Sequence, residues 1–274
     1  MLSKIIEYFQ GSSIPTNPEI KIDQELLSKV IAENRSIQSQ ISNWIDREAF
    51  KKSCFNYGVP DFIEVVLNKE LNNEPTYTDI MKALAYKHFG DLNYLEIGVS
   101  VGKNFHQMMN IEMPASITGF DIEEINPILT TILTQKDKST WNTPAKSIKK
   151  SDSSLTSFLY KSTPVDYLCA DVWDQNSWQK LENRKFNLIF SDALHTPEAI
   201  LFEFEMIVKY GLLDDKFIIV WDDLVGKMKN AFFKIIKKYD KTFGIQDVYL
   251  LNINGWVGQH EQPHSVGIIS NFKL

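Results

Sequence analysis

An α/β fold built on a doubly wound, mostly parallel sheet of seven strands is predicted by three observations. From Asn93 onward, short apolar runs alternate with helix-compatible segments, the pattern of a parallel sheet covered on both faces. The first run ends in a glycine-bearing turn that leads into a helix, Tyr94-Leu-Glu-Ile-Gly-Val-Ser-Val-Gly-Lys-Asn-Phe105. The last two runs are joined through Gly255, Gly258 and Pro263 with no room for a helix, so they form an antiparallel pair at the end of the sheet.

Residues 1–90 precede this unit and read as a helical segment. Apolar residues recur there at three and four spacing: Leu26, Leu27, Val30 and Ile31, then Ile37, Ile41 and Ile45, then Phe62, Val65, Val66 and Leu71. Gly11, Pro15 and Pro18 separate a first short helix from the rest. Thr76-Tyr-Thr-Asp79 opens a further helix, Ile80 to His88, that leads into the first strand. The strands are expected at 93–97, 117–121, 165–170, 186–191, 216–221, 247–253 and 264–270. The division is therefore a segment of 1–90, which covers substrate or serves oligomerisation, and a unit of 91–274. Within that unit a polar stretch at about 123–162 is longer than an ordinary connection, and suits either a lid over the site or an exposed loop with one helix.

The chain is 274 residues long with a formal net charge of −6, which argues against nonspecific binding to nucleic acid. The lysines between Lys227 and Lys241 alternate with Phe232, Phe233, Ile235 and Ile236 at helical spacing, as on the solvated face of an amphipathic helix. Cys54 and Cys169 lack metal-ligand spacing and read as packed thiols, in keeping with a cytoplasmic location. Met1 to Gln10 carries charge inside its apolar stretch and does not read as a signal peptide, and no apolar run approaches the ~20 residues of a membrane span.

The glycine turn points to a nucleotide-type cofactor, since Gly98 and Gly102 allow a sharp turn and close backbone approach. A dinucleotide fingerprint requires three glycines as G-x-G-x-x-G, whereas position 100 is Ser and the two glycines are four apart. Ile117-Thr-Gly-Phe-Asp121 supplies an acid at the end of a second strand, where such folds bind ribose hydroxyls. An adenosine-type ligand without a pyrophosphate is the reading that follows.

With Glu96, Gly98 and Gly102 matching an acid followed by G-x-x-x-G, the chain resembles the class I S-adenosylmethionine-dependent methyltransferases over roughly residues 90 to 270. That resemblance implies a Rossmann-like fold and S-adenosylmethionine as cofactor. It places Glu96, Gly98, Ser100 and Gly102 around the methionine and ribose, Asp121 with Ile122 at the ribose, and Asp171 with Val172 near the adenine.

Two further strand ends carry polar groups: Asp192-Ala-Leu-His195 after the fourth strand and Asp222-Asp223 after the fifth. Ligands of open α/β sheets bind outside the carboxyl ends of the strands, so these groups are expected to converge. Three clustered carboxylates repel one another unless a cation is present, and oxygen ligands of this kind suit Mg²⁺, Mn²⁺ or Ca²⁺. An ion held by Asp192, Asp222 and Asp223 would bind vicinal hydroxyls of a small-molecule acceptor, with His195 or Asp192 taking the proton. The two motifs resemble the metal-dependent O-methyltransferases of the macrolide-sugar (macrocin and mycinamicin) type. Catechol-type relatives carry Asn where this chain has Asp223.

Methylation of a nitrogen or carboxylate without a metal, and a non-catalytic cofactor-binding or oligomerisation module, are the alternatives. Asp192 and Asp223 also suit helix capping, the tryptophans suit packing, and His260 suits a substrate contact in the last connection.

Overall fold

The computed structural model describes residues 16–44, 66–135, 153–260 and 263–274. Ile45, Cys54, Phe62, Val65 and Trp141, and the first short helix expected before Gly11, lie outside them.

The elements in chain order are β1 (Thr16–Asn17), α1 (Gln24–Gln38), α2 (Tyr77–His88), β2 (Leu92–Ile97), α3 (Lys103–Met109), β3 (Ala115–Asp121), α4 (Pro127–Thr130), β4 (Thr134–Gln135) and β5 (Ser154–Tyr160). They continue with β6 (Thr163–Cys169), α5 (Gln175–Gln179), β7 (Phe186–Ser191), α6 (Pro197–Lys209), β8 (Leu213–Trp221), α7 (Lys227–Phe243), β9 (Asp247–Ile253), a 3₁₀ turn at Gly258–His260 and β10 (His264–Ser270). One sheet runs in the order β1-β9-β10-β8-β7-β2-β3-β6-β5-β4. Strands β6, β3, β2, β7 and β8 are mutually parallel, and β10 is antiparallel to both β8 and β9. The doubly wound, Rossmann-like architecture expected from the sequence is present, with every expected strand in place.

Among the described residues the sheet has ten strands, against the seven expected. The expected polar stretch at 123–162 contributes β4 and β5, which extend the sheet edge by antiparallel pairing onto β6. A turn at Lys161, whose φ is +54°, closes the β5–β6 hairpin. The described part of that stretch is thus sheet edge with the single helical turn α4, and residues 136–152 lie outside the described residues.

Period-2 alternation sorts the strand residues onto two covered faces. Tyr94, Leu188, Ile218, Val220 and Ile268 face α1, α2 and α3, while Leu95, Ile97, Ile189, Ile219 and Trp221 face α5, α6 and α7. α7 behaves as its spacing predicts: Met228, Ala231, Phe232, Ile235 and Ile236 are buried and its lysines point outward.

The N-terminal helices belong to the same core. Leu27, Val30 and Ile31 of α1 are buried in one apolar cluster with α2 and the sheet. Thr76 and Asp79 form a capping box at the start of α2, and Arg35 of α1 reaches both oxygens of Asp79 at 3.2 and 2.8 Å. The start of α2 is tied to the β9–β10 connection by Tyr77 N–H donating to the Asn254 carbonyl at 2.8 Å. The Gln259 amide reinforces this by donating to the Glu74 carbonyl at 2.7 Å. This anchoring sets Tyr77 at the carboxyl edge of the sheet.

His106 of α3 is 1% exposed, and burial, with Lys161 and Lys82 nearby, pulls its imidazole down to about 4. Between that value and its ordinary 6.5 the unfolded chain holds a proton that the folded chain does not, so stability falls as pH drops through this window. The expected loss from this group is about 3 kcal/mol across the window. Urea melts at pH 7 and pH 4.5 should show a smaller acid loss for His106→Asn than for the wild type.

Candidate active site

The carboxyl ends of the parallel strands form one edge, with Ile97, Ser191 and Trp221 level with one another across β2, β7 and β8. Gly98 leaves β2 at φ +87°, Ser100 follows at +52° and Gly102 caps α3 at +85°. A Cβ on Gly98 would lie 2.4 Å from both Ala193 Cα and the Asp192 carbonyl oxygen, so the turn sits directly against the end of β7. At Gly102 the obstacle is Leu129 Cδ1, also at 2.4 Å. Both glycines thus answer to backbone conformation and to close approach within the chain.

Asp121 ends β3 and spans this turn: its Oδ2 accepts from Val99 N–H at 2.7 Å and Ser100 N–H at 2.8 Å, and its Oδ1 accepts from Glu123 N–H at 2.9 Å. Burial raises its carboxyl, against the pull of those N–H donors. Glu96 shares the face of Tyr94 and is enclosed at 1% exposure, where its Oε2 accepts from the Tyr94 hydroxyl and the Asn104 amide, each at 2.7 Å. Burial pushes its carboxyl well above the usual range. Glu96 therefore fastens α3 to β2 from beneath the turn rather than presenting an open carboxylate.

Asp171 follows β6, buried, and accepts from Trp173 N–H at 2.9 Å, while the Val172 carbonyl accepts from the Trp178 ring N–H at 2.7 Å. Among the described residues the exposed large apolar side chains are Ile122, Trp173, Leu194 and Val225, and each follows the carboxyl end of a parallel strand. Trp178 and Trp221 are core residues, as their aromatic packing neighbours show.

The acids after β7 and β8 meet as expected, joined by two histidines. His195 Nε2 lies 3.0 Å from Asp192 Oδ1, and its Nδ1 lies 3.0 Å from Asp223 Oδ2. His264 Nδ1 lies 2.7 Å from Asp222 Oδ2 and 3.3 Å from Asp223 Oδ1. Asp222 Oδ1 also accepts from the Asp223 N–H at 2.8 Å, which steadies Asp223 in a left-handed conformation at φ +50°. Asp222 is 3% exposed, whereas the His195 side chain is 46% exposed and faces solvent.

These contacts set the protonation. Hydrogen bonds to Asp192 and Asp223 push the His195 imidazole up to about 11. Burial pulls His264 down, but Asp222 and Asp223 together outweigh it and lift the ring to about 10. His195 and His264 in turn hold Asp223 below the usual carboxylate range. Burial, then the neighbouring Asp222 charge, raise Asp192 to about 7 despite His195. In this arrangement His195 holds a proton, and Asp192 is the member of the pair that titrates near neutrality.

Among the described residues, Asp222, Asp223 and His264 can each offer a donor atom within 4.8 Å of the others, and Asp192 stands outside that trio. His264 is absent from the sequence expectation, although topology contains the signal. A last strand antiparallel to β8 brings its own beginning to the edge where Asp222 and Asp223 lie, with Gly267 opposite Trp221. His260, which the sequence suggests as a substrate contact, has Lys69 and Lys103 as its charged neighbours, and its Nε2 is buried without a hydrogen-bond partner among the described residues. Tyr77, 2% exposed, is a second unexpected member, its ring edge-on to His264 at 5.7 Å. Burial, then Asp192 and Asp222, raise its phenol well above the ordinary value.

No family profile and no curated protein matches the sequence. Among solved structures, the chain is similar to the O-methyltransferase from Bacillus cereus in complex with SAH, at 13% identity over 100% of both chains with a TM-score of 0.48. It is similar to the O-methyltransferase TomG from Streptomyces achromogenes, involved in tomaymycin synthesis and solved with SAM, at 10% identity over 97% of this chain and 95% of that one, TM-score 0.45. The MycE methyltransferase of the mycinamycin biosynthetic pathway, in complex with Mg and SAH, aligns over 70% of this chain and 48% of its own at 12% identity, TM-score 0.42. Among the described residues no helix is long and apolar enough to cross a membrane.

Proposed function

We propose that this chain is an S-adenosylmethionine-dependent methyltransferase acting on a hydroxyl of a small molecule, a sugar or other natural product, with a divalent cation at the acid cluster. The observation that carries this reading is the contact of the Gly98 turn with the Asp192 strand end, which sets a cofactor-type loop beside an acid–histidine cluster at one edge of the sheet. When bound, the cofactor would supply an electrophilic methyl group and the cation would lower the pKa of the acceptor hydroxyl.

The residues at the edge suit those groups. Asp121, which already accepts from the N–H groups of Val99, Ser100, Ile122 and Glu123, would offer its carboxylate to ribose hydroxyls, and Ile122 and Trp173 offer exposed apolar surface for an adenine. Asp222 and Asp223 offer carboxylate oxygens to a divalent cation, and Asp192, which the sequence suggests as a third ligand, stands beyond them across His195. Asp192, whose Oδ1 lies 3.0 Å from the protonated His195 Nε2, would take the hydroxyl proton, and His195 would hold that carboxylate in place. Tyr77 and the β9–β10 connection would wall the acceptor side.

A second reading has one observation in its favour. His195 and His264 already place positive charge among the three carboxylates, as a metal-free site requires. Transfer of labelled methyl from S-adenosylmethionine to a panel of vicinal-diol sugars and phenols, before and after stringent chelation, separates the two. Transfer that is lost on chelation and restored by a divalent ion is the expected result, with Asp192→Ala slower by about 100-fold. Transfer unchanged by chelation selects the metal-free enzyme.

A further inference from the structure

His264 comes into the acid cluster from a direction opposite to the acids themselves. It opens β10, which runs antiparallel to β8, so its imidazole meets Asp222 and Asp223 where β8 ends. One ring nitrogen, Nδ1, faces oxygens of both residues, at 2.7 and 3.3 Å. The ring is also seated. A Cβ on Gly255 would fall 2.9 Å from its Nε2, one on Gly258 would fall 2.7 Å from its Cδ2, and Tyr77 stands edge-on at 5.7 Å. Two glycines and an aromatic edge therefore fix the orientation of Nδ1 toward the carboxylates.

The separations of His264 Nδ1 from the two carboxylates fit a coordination shell as well as they fit the hydrogen bonds now made. In an octahedron with bonds of about 2.1 Å, adjacent donor atoms lie about 3.0 Å apart. The two nitrogen–oxygen separations, 2.7 and 3.3 Å, fall on either side of that length. We propose that His264 is itself a metal ligand, so that Asp222, Asp223 and His264 bind a first-row transition-metal dication such as Mn²⁺, Fe²⁺ or Co²⁺ in preference to Mg²⁺ or Ca²⁺. The inference rests on the reading that the acid cluster holds a cation, and it assigns that cation's class. A neutral imidazole is a borderline donor that suits first-row transition ions, whereas Mg²⁺ and Ca²⁺ take oxygen shells. Nδ1 would be the donor and Nε2 would carry the ring proton. Asp192 and His195 remain on the acceptor side, outside the trio.

The test is Mn²⁺ titration of the full chain followed by electron spin echo envelope modulation, which detects a directly bound nitrogen. The expected result is one Mn²⁺ with a clear nitrogen modulation that persists in His195→Gln. In His264→Gln the modulation disappears and Mn²⁺ affinity falls by about 10- to 100-fold. In competition, Mg²⁺ should displace Mn²⁺ from the wild type only at an excess of about 100-fold. Mn²⁺ bound without nitrogen modulation overturns the ligand assignment while leaving a cation site. A modulation lost in His195→Gln overturns it in favour of the other histidine. No Mn²⁺ binding at all overturns the cation reading together with this one. Should His264→Gln not fold, the wild-type and His195→Gln spectra decide the matter by themselves.

Discussion

Gly98→Ala is expected to abolish S-adenosylhomocysteine binding and to lower stability by about 2–5 kcal/mol, more than substitution of the other described glycines. Two costs add. An L residue at φ +87° pays about 1–2 kcal/mol for the left-handed conformation. The new methyl then meets Ala193 Cα and the Asp192 carbonyl at 2.4 Å, both backbone atoms that cannot swing away, which adds overpacking of about 1–3 kcal/mol. Relief requires the turn and the β7 end to separate, which moves the loop that would receive the cofactor and the strand end that carries Asp192. Gly244→Ala isolates the first cost: Gly244 sits at φ +62° at the end of α7 with nothing within 4 Å of a Cβ. It should lose about 1 kcal/mol and bind ligand normally. Urea melts and calorimetry on the two variants check both halves.

The second large effect is expected at Asp222. Its Oδ2 holds His264 at 2.7 Å and its Oδ1 holds the Asp223 N–H at 2.8 Å, and Asp222 itself is 3% exposed. Asp222→Asn keeps the shape and removes the charge. The His264 ring then loses its nearer carboxylate in a buried setting, a loss that for buried pairs runs to about 3–5 kcal/mol when one partner is removed outright. The isosteric amide retains part of the hydrogen bonding, so about 2–3 kcal/mol of stability is the expected loss. Divalent-ion affinity should fall by at least about 100-fold, and methyl transfer by about 1000-fold, because both the ion and the orientation of Asp223 depend on this carboxylate. Asp223→Asn, at 34% side-chain exposure, should cost less stability with a comparable loss of ion binding. Thermal melts with and without Mn²⁺ read both quantities.

Much of this was legible from residue order, for physical reasons. The parallel strands are near-continuous apolar runs because both faces are covered, and a run such as Phe186-Asn-Leu-Ile-Phe-Ser191 announces itself. The antiparallel end followed from the short connection through Gly255 and Gly258. Strand β5 stayed hidden because Ser154-Leu-Thr-Ser-Phe-Leu-Tyr160 lies near the sheet edge and is only partly buried along most of its length, so polar residues are tolerated on it. Strands β1 and β4, two residues each, are held by pairing alone and leave no periodic signal.

The site was legible where chemistry is local in sequence and obscure where it is assembled by topology. Asp192, His195, Asp222 and Asp223 stand at strand ends and meet across adjacent strands. His264 and Tyr77 arrive from an antiparallel strand and from a helix more than a hundred residues earlier, so only the strand order and the Tyr77–Asn254 hydrogen bond reveal them. The motif does not show which way Glu96 turns, and its parity on β2 directs the carboxylate toward Tyr94 and Asn104.

The methyl-donor site we propose is formed by the Gly98 turn and Asp121. Isothermal titration of the full chain with S-adenosylhomocysteine tests it most directly, with Gly98→Ala and Asp121→Ala alongside. One ligand per chain for the wild type, with binding lost in Gly98→Ala and weakened at least about 10-fold in Asp121→Ala, is the result expected. Absence of wild-type binding at millimolar ligand would contradict the account.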